Sequence, residues 1–204
     1  LGVGMGGMDI AVAMSGVPVF FPEPRVVRVT LKGALRPGVS AKDAALALLA
    51  KIGVKGFLGC VAEYGGEGAA SLSIHQRATL CNMGAEAGAT SSVFPSDETT
   101  RRFLAARGRE AQYKPLAADA DAVYDSEIRL NLTEVEPMVA LPGEPDYGVP
   151  ISQAERESFS QIVIGSCTNG SYIDLARAAA LLRGRRVSPD VNVFLQCGSR
   201  EIMN

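Results

Sequence analysis

The spacing of apolar positions changes period several times along the chain, and each change marks an element. Residues 25–31 alternate Val27 and Val29 with Arg28 and Thr30, a period of two that predicts a half-exposed strand. Residues 127–132 alternate again through Ile128, Leu130 and Leu132. Between these, Ala44, Leu46, Leu48 and Leu49 give residues 41–52 the apolar surface of a helix, opened by Ser40 with Asp43 as a capping pair. Residues 56–61 predict a second strand, and Gly65, Gly66 and Gly68 a flexible link beyond it. Helical spacing returns over residues 74–87, a brief strand over 91–94, and a helix over 97–107 capped by Ser96, with acids in its first turn and arginines in its last. Near the start, Met8, Ala11 and Val12 predict a short helix closed by Gly16.

A different pattern governs the last third. Ile162, Val163 and Ile164 form a short β-branched run of the kind buried on both faces of a parallel sheet, stopping at Gly165. Ser171 and Asp174 then open an alanine-rich helix, and residues 191–195 supply the next strand of a β-α-β unit. Prolines 18, 22 and 24, and later 137, 142, 145 and 150, break the chain. They divide it into residues 1–16, an α/β domain over 17–140, a linker over 141–158, and a further α/β segment over 159–204. The expected fold class is therefore α/β.

Composition narrows the function classes. With 204 residues and a formal net charge of −2, nothing favours nucleic acid, and no apolar run reaches the length of a membrane span. No basic-then-apolar leader precedes the first glycines, so the expected location is the cytoplasm. Four widely spaced cysteines without a C-x-x-C argue against disulfides. The chain begins at Leu1 and stops at Asn204 as a helix starts, which reads as a fragment.

Candidate chemistry sits at two places. Cys167 follows the Gly165 turn just ahead of a helix start, where unpaired N–H groups and the helix dipole favour a thiolate, either a nucleophile or a soft metal ligand. A packed, inert thiol fits the same local pattern equally well. Thr79, Asn82 and Glu86 fall at i, i+3 and i+7, on one face of the expected helix, as acid/base machinery or as an ordinary solvated face. His75, the one histidine, and Cys60 and Cys81 have structural readings.

Gly165-Ser-Cys-Thr-Asn-Gly170 followed by Ser171-Tyr-Ile-Asp-Leu175 resembles the Gly-Ser-Cys-Thr-Asn signature of the aconitase superfamily. Asn82-Met-Gly-Ala-Glu86-Ala-Gly-Ala resembles that family's Asn-Met-x-x-Glu-x-Gly-Ala segment, and the resemblance covers nearly the whole chain. It implies an aconitase-type three-layer α/β domain over 17–140, with residues 1–16 ending a first domain and 159–204 beginning a third. It also implies a [4Fe-4S] hydro-lyase that isomerises a hydroxy-di- or tricarboxylic acid by dehydration and rehydration. On that pattern Cys167 is one of three thiolate ligands, the other two lying outside the chain. Asn82 lines the active site, and Glu86 hydrogen-bonds to the water or hydroxyl at the open iron. Cys197 stands where the family usually has Pro and reads as a tolerated replacement.

The expected substrate is citrate or isocitrate by way of cis-aconitate. 3-Isopropylmalate or homoaconitate (de)hydratase large subunits are the alternative, and a non-catalytic, truncated or degenerate module is a second. The implied partners are a small hydroxy acid and the remaining aconitase domains or a small subunit. With a single thiolate, the cluster and the activity are expected in the full-length parent and not in the fragment. An RNA-binding role lacks a basic stripe, and a cysteine hydrolase would have only His75 as its base.

Overall fold

A computed structural model describes residues 4–155 and 158–203. The chain separates into two compact units, one running to Ala154 and one beginning at Glu155, and each is described by itself. Among the described residues no helix is long and apolar enough to cross a membrane.

The first unit opens with α1 (Gly7–Met14), which ends ahead of Gly16 at a φ of +79°, a left-handed conformation that suits glycine. None of its residues is buried. Strand β1 (Arg25–Lys32) leads to α2 (Ala41–Ile52), β2 (Cys60–Gly65), the short α3 (Glu67–Ser71) and α4 (Ile74–Asn82). Then come β3 (Ser91–Val93), α5 (Glu98–Ala105) and β4 (Ser126–Asn131). The sheet is parallel throughout in the order β3-β2-β1-β4, so β1 lies between a strand that follows it closely and one that arrives far later.

Register decides which side chains share a face. Val27 pairs with Ala62 and Val29 with both Tyr64 and Ile128, and these residues meet α2 and the end of α4 in a core that includes Leu46, Leu49, Phe57 and Leu80. Arg28 pairs with Glu63 and Glu127, so the other face is polar. There Arg28 Nη1 donates to Glu63 and to the Tyr124 hydroxyl, and Thr30 Oγ1 donates to Glu127. The fold class is mixed α/β around a parallel sheet, as expected from the aconitase-type pattern.

Several boundaries differ from the expected ones, each for an identifiable reason. Residues 56–59 are a turn and not the start of β2: Leu58 N–H donates to Lys55 O and Cys60 N–H to Phe57 O, and Phe57 is a buried plug. Gly66 and Gly68 are no flexible link, because a Cβ at either would collide with the backbone of Leu31. They let α3 lie directly on β1. Asp97, not Ser96, caps α5, accepting from Thr99 and Thr100 N–H, while the Ser96 hydroxyl donates to Lys114 O. The proline-dense stretch contains an antiparallel hairpin of β5 (Met138–Ala140) and β6 (Gly148–Pro150), with Pro137, Pro142 and Pro145 outside its strands.

In the second unit, β7 (Gln161–Gly165) pairs in parallel with β8 (Asn192–Gln196), connected by the single-turn α6 (Ser166–Asn169) and by α7 (Tyr172–Leu182). A last helix, α8, covers Arg200–Met203. The capping box at Ser171 and Asp174 forms as expected. Burial of β7 on both faces does not hold within this unit. Val163 is 55 % exposed and Phe194 53 %, because two strands and the helices between them leave much of the apolar run uncovered.

Candidate active site

The two chemical stretches lie in different units and are built differently. In the first, the helix expected over residues 74–87 stops at Asn82. Met83 and Gly84 turn the chain into a 3-10 turn, Ala85–Ala87, which closes on Gly88 in the left-handed region at φ +81°. Gly84 is needed because any Cβ there would run into the Ser92 hydroxyl on β3. The turn is pinned further by Phe57 N–H donating to Ala87 O at 2.9 Å and Ala89 N–H to Gly84 O at 3.0 Å.

This break corrects the expected shared helix face of Thr79, Asn82 and Glu86. Thr79 is buried and its hydroxyl donates back to His75 O at 3.2 Å, so it belongs to the helix's own bonding. Asn82 ends α4, and Glu86 sits on the separate turn, both half-buried. Glu86 Oε2 is fully shielded from solvent and has no hydrogen-bond partner. A polar oxygen held dry without a donor costs on the order of 1–3 kcal/mol.

Asn82 also lines a cavity of about 530 Å³. Ile74, Ala78, Ala85, Phe94 and Pro95 line it together with Gly4, Cys81, Ser96 and Thr100. Arg77 lines it as well. It is 3 % exposed, donating from Nε to Leu72 O and, in bidentate fashion at 2.9 and 2.7 Å, to the Asp97 carboxylate. Its guanidinium also lies 5.7 Å from the centre of the Phe94 ring. Burial pulls the Asp97 carboxyl upward, but the Arg77 hydrogen bonds, the Thr100 and Thr99 N–H groups and the Arg77 charge outweigh it and hold the carboxyl below the usual range. Sequence reasoning missed this ion pair. Its only trace was an arginine three residues before Leu80 on a mixed polar and apolar helix.

In the second unit, Gly165 adopts φ 135° and ψ −129°, a region open to glycine, and a Cβ there would strike Gln196 O. Ser166 follows at φ +82°, a rare conformation for a residue with a side chain. This tight turn presents Cys167 exposed on α6, its sulfur 3.9 Å from the Thr168 hydroxyl. The expectation that Cys167 stands immediately ahead of the long helix is corrected: α6 and Gly170 intervene before the Ser171 cap. Gly198 N–H donates to Gly170 O at 2.9 Å, which brings the loop of half-buried Cys197 against this turn. Asn169 Oδ1, like Ser92 Oγ and Asp146 Oδ1 in the first unit, is also solvent-shielded without a partner.

The other singled-out residues take up packing positions. No disulfide links the four cysteines; Cys60 and Cys81 are buried, and burial pushes the Cys81 thiol up. His75 packs edge-on against Phe103 at 5.7 Å. As for the cluster, Cys167 offers an outward sulfur suited to soft-metal ligation, but the donor set is incomplete here. Among the described residues no group of three or more His, Cys, Asp or Glu side chains could hold a metal ion.

The whole chain, residues 1–204, matches the model of the aconitase family (aconitate hydratase), and the chain belongs to that family. It is 40 % identical over 199 residues to 3-isopropylmalate dehydratase large subunit 2 of Archaeoglobus fulgidus, covering 98 % of this chain and 48 % of that protein. Identity to large subunit 2 of Rubrobacter xylanophilus is 39 % over 201 residues, 98 % of this chain and 47 % of that one. The Wolinella succinogenes large subunit is 41 % identical over 202 residues, again 98 % of this chain and 48 % of the relative. The chain thus spans about half the length of the curated relatives it matches.

Proposed function

We propose that this chain is the segment of a hydro-lyase large subunit that carries one cluster thiolate and the Asn-Glu pair, and that its substrate is 3-isopropylmalate or a close analogue. The expectation of citrate and isocitrate gives way to its alternative, since the relatives cited above are all named 3-isopropylmalate dehydratase large subunits. The observation that carries the reading is Glu86 Oε2, buried and unpartnered on the turn that bears the family's Asn-Met-x-x-Glu pattern.

In this reading Cys167 is one ligand of a [4Fe-4S] cluster completed by residues outside the chain. When bound, that cluster supplies a Lewis acid that eases loss of the substrate hydroxyl as hydroxide. Asn82 orients the substrate from the end of α4. Glu86 accepts or returns the proton that dehydration and rehydration exchange, from a turn whose backbone is fixed by Phe57, Gly84 and Ala89. A small subunit and the remaining large-subunit domains are the partners.

The test is Glu86→Gln in the full-length protein with its small subunit. Gln keeps the size and one acceptor but cannot carry a proton. Cluster content by iron, sulfide and visible absorbance should match wild type while kcat on isopropylmalate falls about 10²–10⁴-fold, the usual loss for a missing general acid/base. Wild-type turnover in the cluster-loaded variant would refute the role.

A further inference from the structure

Two cysteines converge at one end of the second unit's sheet, and of the two only Cys167 has a part in the function proposed above. We propose that Cys197 is a resolving thiol for Cys167: in the cluster-free protein, peroxide joins the two in a reversible disulfide that shields Cys167 from irreversible oxidation. The bond stands on the geometry of this unit alone, whereas its consequence for cluster loading rests on the proposed function.

Register brings the two sulfurs to one place. β7 and β8 run parallel with Gly165 opposite Gln196, so both strands deliver the chain to the same end of the sheet. Cys167 lies two residues beyond this pair and Cys197 one. Neighbouring strands stand about 4.8 Å apart, inside the roughly 4.4–6.8 Å that a disulfide spans between Cα atoms. The turn that carries Cys167 then closes around the segment that carries Cys197. At its start, Gly165 packs so closely on β8 that a Cβ would strike the Gln196 carbonyl oxygen. At its end, Gly198 N–H donates to Gly170 O at 2.9 Å, and a Cβ on Gly170 would lie 3.0 Å from both Gln196 O and Gly198 N. Residues 165–170 thus hold Cys197 by both of its chain neighbours, and Gly165, Gly170 and Gly198 carry no side chain to separate the backbones.

Exposure divides the roles. Cys167 is exposed and meets a small oxidant first, Cys197 is half-buried, and burial keeps peroxide from Cys60 and Cys81. Attack of the Cys167 sulfur on hydrogen peroxide breaks the O–O bond and leaves a sulfenic acid and, with the thiol proton, one water. Cys197 then attacks the Cys167 sulfur; the S–O bond breaks, and the hydroxyl leaves with the Cys197 proton as a second water. The two thiols lose two electrons and the peroxide gains them. Without Cys197, further peroxide carries the sulfenic acid to sulfinic acid, which thiol reductants do not reverse. Such a bond is of the transient, redox-sensing kind, not part of a structural framework.

The full-length protein with its small subunit is stripped of iron by an anaerobic chelator, treated with hydrogen peroxide, blocked with N-ethylmaleimide and digested with trypsin without reduction. Mass spectrometry should find residues 157–177 joined to residues 187–200, two hydrogens lighter than the separate reduced peptides, as the main oxidised form of Cys167. Cys197→Ser should take up a normal cluster, yet after stripping and peroxide it should lose the linked peptide and accumulate several-fold more Cys167 sulfinic acid. Dithiothreitol, iron and sulfide are then returned: wild type should recover its visible absorbance, and Cys197→Ser should lose it in proportion to the sulfinic acid formed. Equal Cys167 sulfinic acid in wild type and Cys197→Ser overturns the proposal, as does Cys167 joined to any cysteine other than Cys197. The wild-type peptide map decides the bond whether or not the variant folds. A linked peptide in a protein that takes up no iron and sulfide after reduction upholds the disulfide and overturns the hydro-lyase reading instead.

Discussion

Asp97→Asn isolates what the Arg77 ion pair contributes to the first unit. The substitution preserves the cap of α5, because Asn accepts from the Thr99 and Thr100 N–H groups as Asp does. It removes the charge and one of the two oxygens that hold the guanidinium, leaving Arg77, with a side chain only 4 % exposed, a cation bonded to the Leu72 and Pro95 carbonyls and to one amide oxygen. Breaking a buried pair by removing one partner costs about 3–5 kcal/mol. Asp97 is 31 % exposed and water screens part of the pair, so we expect about 2–3 kcal/mol, or a fall in Tm of roughly 4–12 °C for a unit of this size. Because unfolding of two units need not be one transition, the assay is native-state hydrogen exchange of the β1 and β2 amides alongside urea unfolding. The double variant Arg77→Met with Asp97→Asn should recover at least half the loss, since replacing both charges by apolar or neutral groups is often nearly neutral. The reasoning is refuted if Asp97→Asn costs under about 0.5 kcal/mol, the scale of an unremarkable surface change, or if the double variant is the less stable of the two.

Two further outcomes are expected. In a full-length protein carrying this segment, Cys167→Ser should abolish cluster content and activity together, whereas Cys60→Ser and Cys81→Ser should retain both; iron, sulfide and absorbance decide, and a cluster lost only from Cys60→Ser would misplace the ligand. Because the Asp97 carboxyl is held below its unfolded value, its contribution is present above about pH 4 and is lost as pH falls through the lower folded value. Urea midpoints measured at pH 5 and pH 3 should therefore diverge more in wild type than in Asp97→Asn, and equal differences would count against the pair.

What the chain reveals by inspection is what four consecutive residues can encode. The boxes at Ser40 with Asp43 and at Ser171 with Asp174 place two helix starts to the residue, and alternation places β1 and β4. The break after Asn82 is hidden because Ala85, Glu86 and Ala87 are good helix formers. It is settled instead by the Ser92 hydroxyl on the next strand, β3, and by an N–H at Phe57, thirty residues before Ala87. Ser96 and Asp97 are both competent caps, and only the carbonyl of Lys114, which accepts from Ser96, decides between them. The same limit applies to the site. Glu86 and Cys167 stand out by pattern, but the dry oxygen of Glu86 and the cavity bounded by Phe94 exist only once helix and sheet have met.

The strand order also sets a timetable for biosynthesis. Val27 on β1 pairs with Ala62 on one side and with Ser126 on the other. At ribosomal rates of about 5–20 residues per second, β4 leaves the ribosome roughly 5–20 s after β1. For that interval β1 and β2 form a growing sheet whose open edge is a hydrogen-bonding strand rich in valine and leucine, the kind of edge that recruits other chains. Arg25, Arg28 and Lys32 on β1 then act as gatekeepers during synthesis, their charges discouraging a second nascent chain from taking the place reserved for β4.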